Sequence, residues 1–320
     1  GLMLPLASIL LTILLTYVLH TSVGYFVERR TKRQLVELFG HYVPSELVAR
    51  MASQPEQYTT QAISRELTVM FCDLEQFTPL SESMDPQALQ ALLNDIFNRM
   101  ADVIGPNQGT IDKYMGDCVM VFWGAPVADP DHAWHAVKTG IELGVMLQRF
   151  NSEREAAGLA PLGASIGINT GMMSVGDMGS EMRRSYTVIG DAVNLAARLE
   201  PLAGIYGVPM VVGEQTVQQV AQCHWQWLDC IRVSGKAQAA NIYAPFTEDA
   251  QLDADQQREL GLWHQFREAY RMQDWPRCST LLAKLQGLAP GRVLYGVYRE
   301  RIDAFLKQPP APDWDGVTLQ

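Results

Sequence analysis

Cysteine is scarce in this 320-residue chain, and basic residues are fewer than acidic ones. The five cysteines are scattered and form no Cys-x-x-Cys pair, which argues against a zinc ribbon or a disulfide framework and indicates reduced thiols in the cytosol. The 25 Lys and Arg face 35 Asp and Glu, for a formal net charge of −10. No broad basic field is therefore available to hold nucleic acid, and an anionic nucleotide would need local cations or metal ions.

Histidine pairs with metal-binding spacing are also lacking. Of the six histidines, only His132 and His135 lie close together, in "DPDHAWHAV" at a predicted helix start. Two histidines on a helix flank are more often packed or solvated than bound to a metal. We therefore expect no histidine-based metal centre there.

Charged residues are absent from residues 1–27. This apolar run exceeds the ~20 residues that a helix needs to cross a bilayer, and the basic cluster "ERRTKR" follows at once. A signal peptide would instead carry positive charges before the run and a small-residue cleavage site after it. A buried helix of a soluble protein is the alternative. The length and flanking charges predict a transmembrane helix over 1–27 that contacts lipid in the cell inner membrane, with the rest of the chain cytoplasmic.

The remainder of the chain changes character twice. Residues 28–65 are predicted to form a juxtamembrane helix, a second short helix in "FGHYVPSELVARM" and a polar linker. Residues 66–246 alternate between strand and helix patterns. Residues 250–320 indicate a helical tail that is too short for a solenoid, so we expect it to pack against the preceding block or a partner.

The block 66–246 predicts an α+β fold. Strand, helix, two strands, helix and strand follow one another in "LTVMFCDL", "DPQALQALLNDIFNRMADVI", the hairpin around "KYMGD", "HAWHAVKTGIELGVMLQRFN" and "GASIGINTGMMSVGDMG". The last segment is predicted to be broken at Gly171 and Gly176. This order is that of a ferredoxin-like sheet, in which the end of the first strand and the turn between the second and third lie close.

Two carboxylates are predicted to meet at that edge. Asp73 ends the first strand in "FCDLEQFT", and Asp117 follows Gly116 at the hairpin tip. Two carboxylates and a backbone carbonyl, for which Leu74 is suitably placed, suit Mg²⁺ or Mn²⁺. The alternative is one solvated turn aspartate and one helix-capping aspartate.

A later helix carries a polar stripe. Asn194 and Arg198 lie four residues apart in "YTVIGDAVNLAARLE" and so share one helix face. The rest of this helix is mostly apolar, so these two side chains are expected to face something polar.

Together, "FCDLEQFT", "KYMGD" and "YTVIGDAVNLAARLE" resemble the motifs of the class III nucleotidyl cyclase catalytic domain, in the same order. The segment "FGHYVPSELVARM" and the helical tail resemble those of membrane-anchored bacterial adenylate cyclases. That resemblance implies a CHASE-like sensor upstream, absent from this chain.

The resemblance implies a role for the two carboxylates with Leu74 and for the two residues of the polar stripe. Asp73, Asp117 and the Leu74 carbonyl would hold two metal ions, Mg²⁺ or Mn²⁺, that activate the ribose 3′-hydroxyl of ATP and grip the triphosphate. Arg198 would stabilise charge growing on the α-phosphate, and Asn194 would position the ribose.

The base and the outer phosphates have implied partners too. Lys113 matches the base-reading lysine near adenine N1. Thr187 matches the position that reads the adenine amino group, where many members carry Asp, and threonine leaves the direction of that hydrogen bond open. Lys236 in "VSGKAQ" matches a phosphate-binding lysine. Either Arg183 or Arg184 in "SEMRRS" would contact the terminal phosphates, and the spacing does not choose between them.

In this family two chains pack head to tail and share each site, so the resemblance implies a homodimer with two interfacial sites that converts ATP to 3′,5′-cyclic AMP and pyrophosphate. Guanylate cyclase is the nearest alternative. Guanine carries an N–H where adenine has an acceptor, and the donor Lys113 therefore favours ATP. A catalytically silent membrane receptor is the other alternative, but such a chain is expected to have lost some of these polar residues, and none is missing.

Overall fold

The chain divides into two compact units, Gly1–Thr59 and Thr60–Gln320. The computed structural model describes residues 9–20, 62–180, 184–232, 239–247, 252–311 and 314–319. In the first unit, residues 9–20 form helix α1, whose large apolar side chains are exposed. Across the residues described, no helix combines the length and apolarity needed to span a bilayer. Most of the predicted juxtamembrane segment lies in residues 21–61, outside the described part.

The second unit is built on one mixed β-sheet. Its first four strands are β1 (Ile63–Glu75), β2 (Thr110–Met115), β3 (Cys118–Trp123) and β4 (Gly163–Gly179). They lie side by side in the order β2-β3-β1-β4, and each is antiparallel to its neighbour. The predicted ferredoxin-like order is confirmed for these strands.

Helices α2 (Phe77–Ser83), α3 (Pro86–Ile104) and α4 (His132–Ala156) connect these strands. Helix α3 starts where the sequence indicates, because the carboxylate of Asp85 accepts hydrogen bonds from the backbone N–H groups of Gln87 and Ala88. One stripe of α3 is buried against the sheet, as its apolar spacing predicts. The end of β1 and the start of β3 form the edge where Asp73 lies.

Strand β4 is continuous over 17 residues, so the predicted breaks at Gly171 and Gly176 are wrong. Its first part pairs with β1 and its end pairs with β5 (Arg184–Ile189), and this ladder outweighs the poor strand preference of glycine. Gly171 instead makes room for helix α5 (Asp191–Leu199), since a Cβ there would lie 2.9 Å from the Cβ of Ala192.

Beyond β4 the sheet continues in the order β6-β8-β7-β9. These later elements are β6 (Met210–Gly213), β7 (His224–Arg232), β8 (Ala240–Thr247) and β9 (Thr318–Leu319), with short helices α6 (Leu202–Tyr206) and α7 (Glu214–Gln219). Strand β6 is parallel to β4, which makes the sheet mixed.

The C-terminal helices pack on this later half of the sheet. They are α8 (Ala254–Arg271), α9 (Trp275–Leu288) and α10 (Val293–Lys307). The Trp263 indole donates a hydrogen bond to the Trp227 carbonyl at 2.7 Å, and the Tyr298 hydroxyl donates to the Leu228 carbonyl at 2.7 Å. Sheet and helices share one hydrophobic core, so of the two expected positions the tail takes the one against the preceding block.

Candidate active site

Asp73 and Asp117 come together at one edge of the sheet. Asp73 directly follows Cys72, the residue that pairs with Val119 on β3. Asp117 lies in the turn that leads into β3. Burial raises the pKa of Asp73, and the negative charge of Asp117 raises it further. The two carboxylates are therefore close enough to repel each other.

The turn that carries Asp117 depends on glycine. Met115 pairs with Cys118, which leaves Gly116 and Asp117 as a two-residue hairpin loop. Gly116 has a φ of +69°, a conformation that side-chain-bearing residues rarely adopt. A glycine with positive φ at the first central position is typical of the tight hairpin turns that match strand twist. Gly116 thus sets the direction in which Asp117 points.

Glu200 adds a third carboxylate, which the sequence patterns did not identify. Burial, together with the negative charges of Asp73, Glu75 and Asp117, raises the pKa of Glu200 to about 7. Like charges crowded in this way favour a bound cation. The available signal was its position two residues after Arg198, at the end of the helix that carries the polar stripe. We call Asp73, Asp117 and Glu200 the carboxylate edge.

The donors of the carboxylate edge fit a hard divalent cation. Carboxylate oxygens are ligands that Mg²⁺ and Mn²⁺ prefer. In the part of the chain that the structure describes, no three His, Cys, Asp or Glu side chains are arranged as a complete metal-binding cluster. The predicted set has two carboxylates and the carbonyl of Leu74, a buried β1 residue. Substrate phosphate oxygens would complete the coordination, as is usual for Mg²⁺.

Helix α5 presents its polar stripe away from the core. Val193, Ala196 and Leu199 are buried, whereas Asn194 and Arg198 lie on the exposed face. The two polar side chains therefore share one accessible surface, as their spacing predicts.

The position of α5 depends on a close approach to β4. A Cβ on Gly167 would lie 2.4 Å from both the Ala196 carbonyl oxygen and the Glu200 nitrogen. Only glycine allows the helix to come this near to the strand. The same contact holds Glu200 near Asp73 and Asp117.

Lys113, Asp112 and Thr187 form a second polar group. Strand β5 reaches β2 through the Thr187 hydroxyl, which donates a hydrogen bond to Asp112 Oδ2 at 2.5 Å. Lys113 Nζ lies 3.5 Å from Asp112 Oδ1. The side chain of Asp112 is fully buried, whereas that of Lys113 is 46% exposed. Asp112 thus joins two predicted site residues that are 74 positions apart in the sequence.

Asp112 was not identified from the sequence, although a signal existed. In β2 the inward positions are Thr110 and Asp112, so strand alternation places a carboxylate inside, where it needs a partner. Burial raises the pKa of Asp112, while the hydrogen bond from Thr187 and the positive charge of Lys113 act to lower it. Asp112 is therefore a buried acid with three partners, which are Thr187, Lys113 and the backbone N–H of Val188.

The predicted phosphate-binding residues are only partly covered. Arg183 and Lys236 lie outside the described residues, and for Arg184, the first residue of β5, only the backbone is described. Their contacts with phosphate stay predictions. His132 and His135 have separate partners. Nδ1 of His132 lies 2.7 Å from the Thr68 hydroxyl, and Nδ1 of His135 lies 2.7 Å from Asp129 Oδ2.

Residues 60–244 match the family described as the adenylate and guanylate cyclase catalytic domain. Adenylate cyclase 1 of Rhizobium meliloti (strain 1021) is 35% identical over 215 residues, which are 66% of this chain and 32% of the relative. An adenylate cyclase of Anabaena cylindrica is 32% identical over 240 residues, covering 72% of this chain and 47% of that protein. The chain therefore spans less than half the length of these two relatives.

Solved structures show the same fold. The adenylyl cyclase CyaB from P. aeruginosa superposes with a TM-score of 0.56 at 35% identity, over 60% of this chain and 100% of its own. The guanylyl cyclase Cya2 superposes with a TM-score of 0.53 at 33% identity, over 60% and 97%. Since both kinds of cyclase are similar to it to nearly the same degree, overall likeness does not identify the base. The family match covers more than half of the residues, and this chain belongs to the class III adenylate and guanylate cyclases.

Proposed function

We propose that this chain is an adenylate cyclase that converts ATP to 3′,5′-cyclic AMP and pyrophosphate. The observation that carries the proposal is the joining of Lys113 and Thr187 through Asp112. A lysine ammonium group only donates hydrogen bonds. It therefore suits adenine, whose N1 accepts, better than guanine, which has an N–H at that position. The two curated relatives named adenylate cyclase support the same substrate.

We propose that Asp73, Asp117 and the Leu74 carbonyl hold two Mg²⁺ or Mn²⁺ ions in each site. When bound, these ions would lower the pKa of the ribose 3′-hydroxyl and neutralise charge on the triphosphate. The mutual repulsion within the carboxylate edge supports this assignment, because a cation would relieve it. Glu200 adds attraction for cations and is not assigned as a ligand.

The remaining residues act on the nucleotide itself. Asn194 positions the ribose so that its 3′-oxygen faces the α-phosphate, and Arg198 stabilises the negative charge that grows there as pyrophosphate leaves in line. Their shared exposed face on α5 supports this division. Lys236 and either Arg183 or Arg184 are proposed to bind the outer phosphates.

We propose that two copies of the chain form a homodimer with two shared sites. Each site would take Asp73 and Asp117 from one copy, and Lys113, Thr187, Asn194 and Arg198 from the other. Exposed apolar side chains support a protein interface near the site: Tyr114 and Met115 at the β2–β3 hairpin, Met172 on β4 and Ile189 on β5 are 42–59% exposed.

We also propose that residues 1–27 anchor the chain in the cell inner membrane, with the cyclase domain in the cytoplasm. The large apolar side chains of α1 are 52–69% exposed, and such a surface is stable in lipid. Under this proposal a CHASE-like sensor upstream of the chain would control the cyclase. The juxtamembrane resemblance is the support for the sensor.

The direct test is an assay of the purified protein with ATP or GTP and with Mn²⁺ or Mg²⁺, in which cyclic nucleotide and pyrophosphate are measured by chromatography and mass spectrometry. We expect cyclic AMP from ATP and little cyclic GMP from GTP. Cyclic GMP as the main product would identify a guanylate cyclase. A folded protein that makes neither product would be a silent receptor.

A further inference from the structure

Asp112 lies where two base-contacting side chains meet. One of its carboxylate oxygens, Oδ2, accepts the hydrogen bond from Thr187. The other, Oδ1, is buried, and Lys113 Nζ lies 3.5 Å from it. The backbone N–H of Val188 also donates to this carboxylate. A buried carboxylate with one oxygen on each of two proposed base contacts is well placed to orient both.

The contact with Asp112 fixes the hydrogen-bond direction at Thr187. A threonine hydroxyl has one proton to donate and two lone pairs that accept, whereas an ionised carboxylate only accepts. Because Thr187 gives its proton to Asp112, its oxygen faces any other partner as an acceptor. The exocyclic amino group of adenine is a donor, and the corresponding oxygen of guanine is an acceptor. Thr187 in this state therefore pairs with adenine and repels guanine.

The same carboxylate also holds Lys113. The ammonium group has three donors and is close enough to Asp112 to be attracted by its charge. One donor directed at Asp112 leaves others for adenine N1. This attraction favours positions of Lys113 close to the carboxylate that also binds Thr187.

We infer that Asp112 is a positioning residue for base selection, which takes the proton of Thr187 so that Thr187 accepts from the adenine amino group, and which holds Lys113 beside it as the donor. This inference rests on the proposed adenylate cyclase function and deepens it. It assigns the hydrogen-bond direction that the sequence left open.

A merely structural role for Asp112 makes a different prediction. If the carboxylate only ties β5 to β2, its loss will lower stability and the turnover of both nucleotides alike. If it sets the direction of Thr187, its loss will change the preference between ATP and GTP. The ratio of kcat/KM for the two nucleotides separates these roles.

The test compares the full chain with Asp112→Asn, Thr187→Val and the double variant, with kcat/KM for ATP and GTP and the Tm measured for each. Asparagine replaces one carboxylate oxygen by an NH2 group, and with that group toward Thr187 it donates to Thr187 and releases the threonine proton toward a guanine acceptor. We expect each single variant to lower the ATP preference by about tenfold, the effect of roughly one hydrogen bond. The double variant should lose no more than the larger single effect, because the two residues act as one unit.

Two further variants serve as controls. Asp129→Asn removes another buried carboxylate, which binds His135 away from the proposed base contacts, and should leave the nucleotide ratio within about twofold. Thr187→Ser keeps the hydroxyl and should keep the ratio of kcat/KM for ATP and GTP. Comparison of Thr187→Ser with Thr187→Val therefore tests the inference even if Asp112→Asn does not fold.

The outcomes separate this inference from the proposed function. An unchanged ratio in a folded Asp112→Asn variant that still makes cyclic AMP overturns the inference and leaves the adenylate cyclase assignment intact. Equal ratios in Thr187→Val, Thr187→Ser and wild type overturn it as well. Failure of the wild type to make any cyclic AMP overturns both.

Discussion

The carboxylate edge and Asp229 differ in how their negative charge is compensated. Protein groups compensate the charge of Asp229, whereas the carboxylates of the edge repel one another. Asp229 is buried on β7, and its Oδ2 accepts hydrogen bonds from Tyr206 at 2.8 Å, Arg301 at 2.9 Å and Thr318 at 3.0 Å. At the carboxylate edge the contributions that raise pKa come from burial and from other carboxylates.

The difference shows how a structural acid is told from a functional one. A buried charge whose hydrogen bonds are all supplied by the protein stabilises a fixed packing, here between β7, α6 and α10. Acids that repel one another reduce stability unless an external cation is bound. The first arrangement belongs to the fold, and the second has the electrostatics of a metal-dependent site.

The largest expected effect comes from breaking the carboxylate edge. Asp73→Ala and Asp117→Ala should each lower cyclase activity by more than about a hundredfold, because the α-phosphate loses a properly held ion. The Tm should not fall, since each change relieves repulsion. Activity with Mn²⁺ and Tm by calorimetry are the measurements. A variant that retains most of its turnover would show that its carboxylate is not a metal ligand.

A mixing experiment tests whether Asp73 of one chain and Arg198 of the other chain serve the same site. Asp73→Ala and Arg198→Ala chains should each be nearly inactive. In a mixed dimer one shared site carries both changes and the other carries neither. Co-expression with random pairing should therefore restore about a quarter of wild-type activity.

Differently tagged chains allow the mixed dimers to be isolated and confirmed before the assay. Verified mixed dimers that stay as inactive as the parents would mean that Asp73 and Arg198 meet within one chain. Glu153→Gln paired with wild type serves as the control, since Glu153 is exposed and is no proposed site residue.

Local patterns in the sequence determine much of this site. Alternation and helical spacing predict the strand order, and that order places Asp73 beside Asp117 because their strands are neighbours. The polar stripe of α5 follows from the spacing of Asn194 and Arg198 in a mostly apolar helix. Each of these features depends on residues close in sequence or on a standard topology.

Features that depend on long-range packing were missed. Asp112 meets Thr187 only because β5, which follows a 17-residue strand, comes back against β2. Glu200 approaches Asp73 and Asp117 only because Gly167 lets α5 come close. The wrong breaks in β4 have the same origin, since Gly171 serves the packing of α5 and does not end the strand.

At Asp229 we expect a smaller effect on activity but a clear effect on stability. Asp229→Asn leaves Arg301 buried without a counter-charge, and breaking such a pair costs about 3–5 kcal/mol. We expect a Tm lower by about 10 °C for a domain of this size, with the ATP-to-GTP ratio unchanged. Paired calorimetry and activity measurements check this. A changed nucleotide ratio at unchanged Tm would contradict the structural role of Asp229.

The smallest expected effect sharpens the comparison at Glu200. Above about pH 7, where Glu200 is ionised, Glu200→Gln removes one of the mutually repelling charges, so the metal-free protein should melt about 2 °C higher than wild type. Mn²⁺ should raise the Tm of wild type, because a cation relieves the repulsion, and should raise the Tm of Glu200→Gln by less. Glu153→Gln is a matched control, because Glu153 is an exposed residue of α4 whose partner is Arg99 of α3. This variant should show the same Mn²⁺-induced rise in Tm as wild type. Titrations of Tm against Mn²⁺ in chelator-treated samples measure all three shifts.

If Glu200→Gln responds to Mn²⁺ as strongly as wild type does, the repulsion within the carboxylate edge is confined to Asp73 and Asp117. Glu200 would then act only as the end of α5, held beside β4 by the close approach at Gly167.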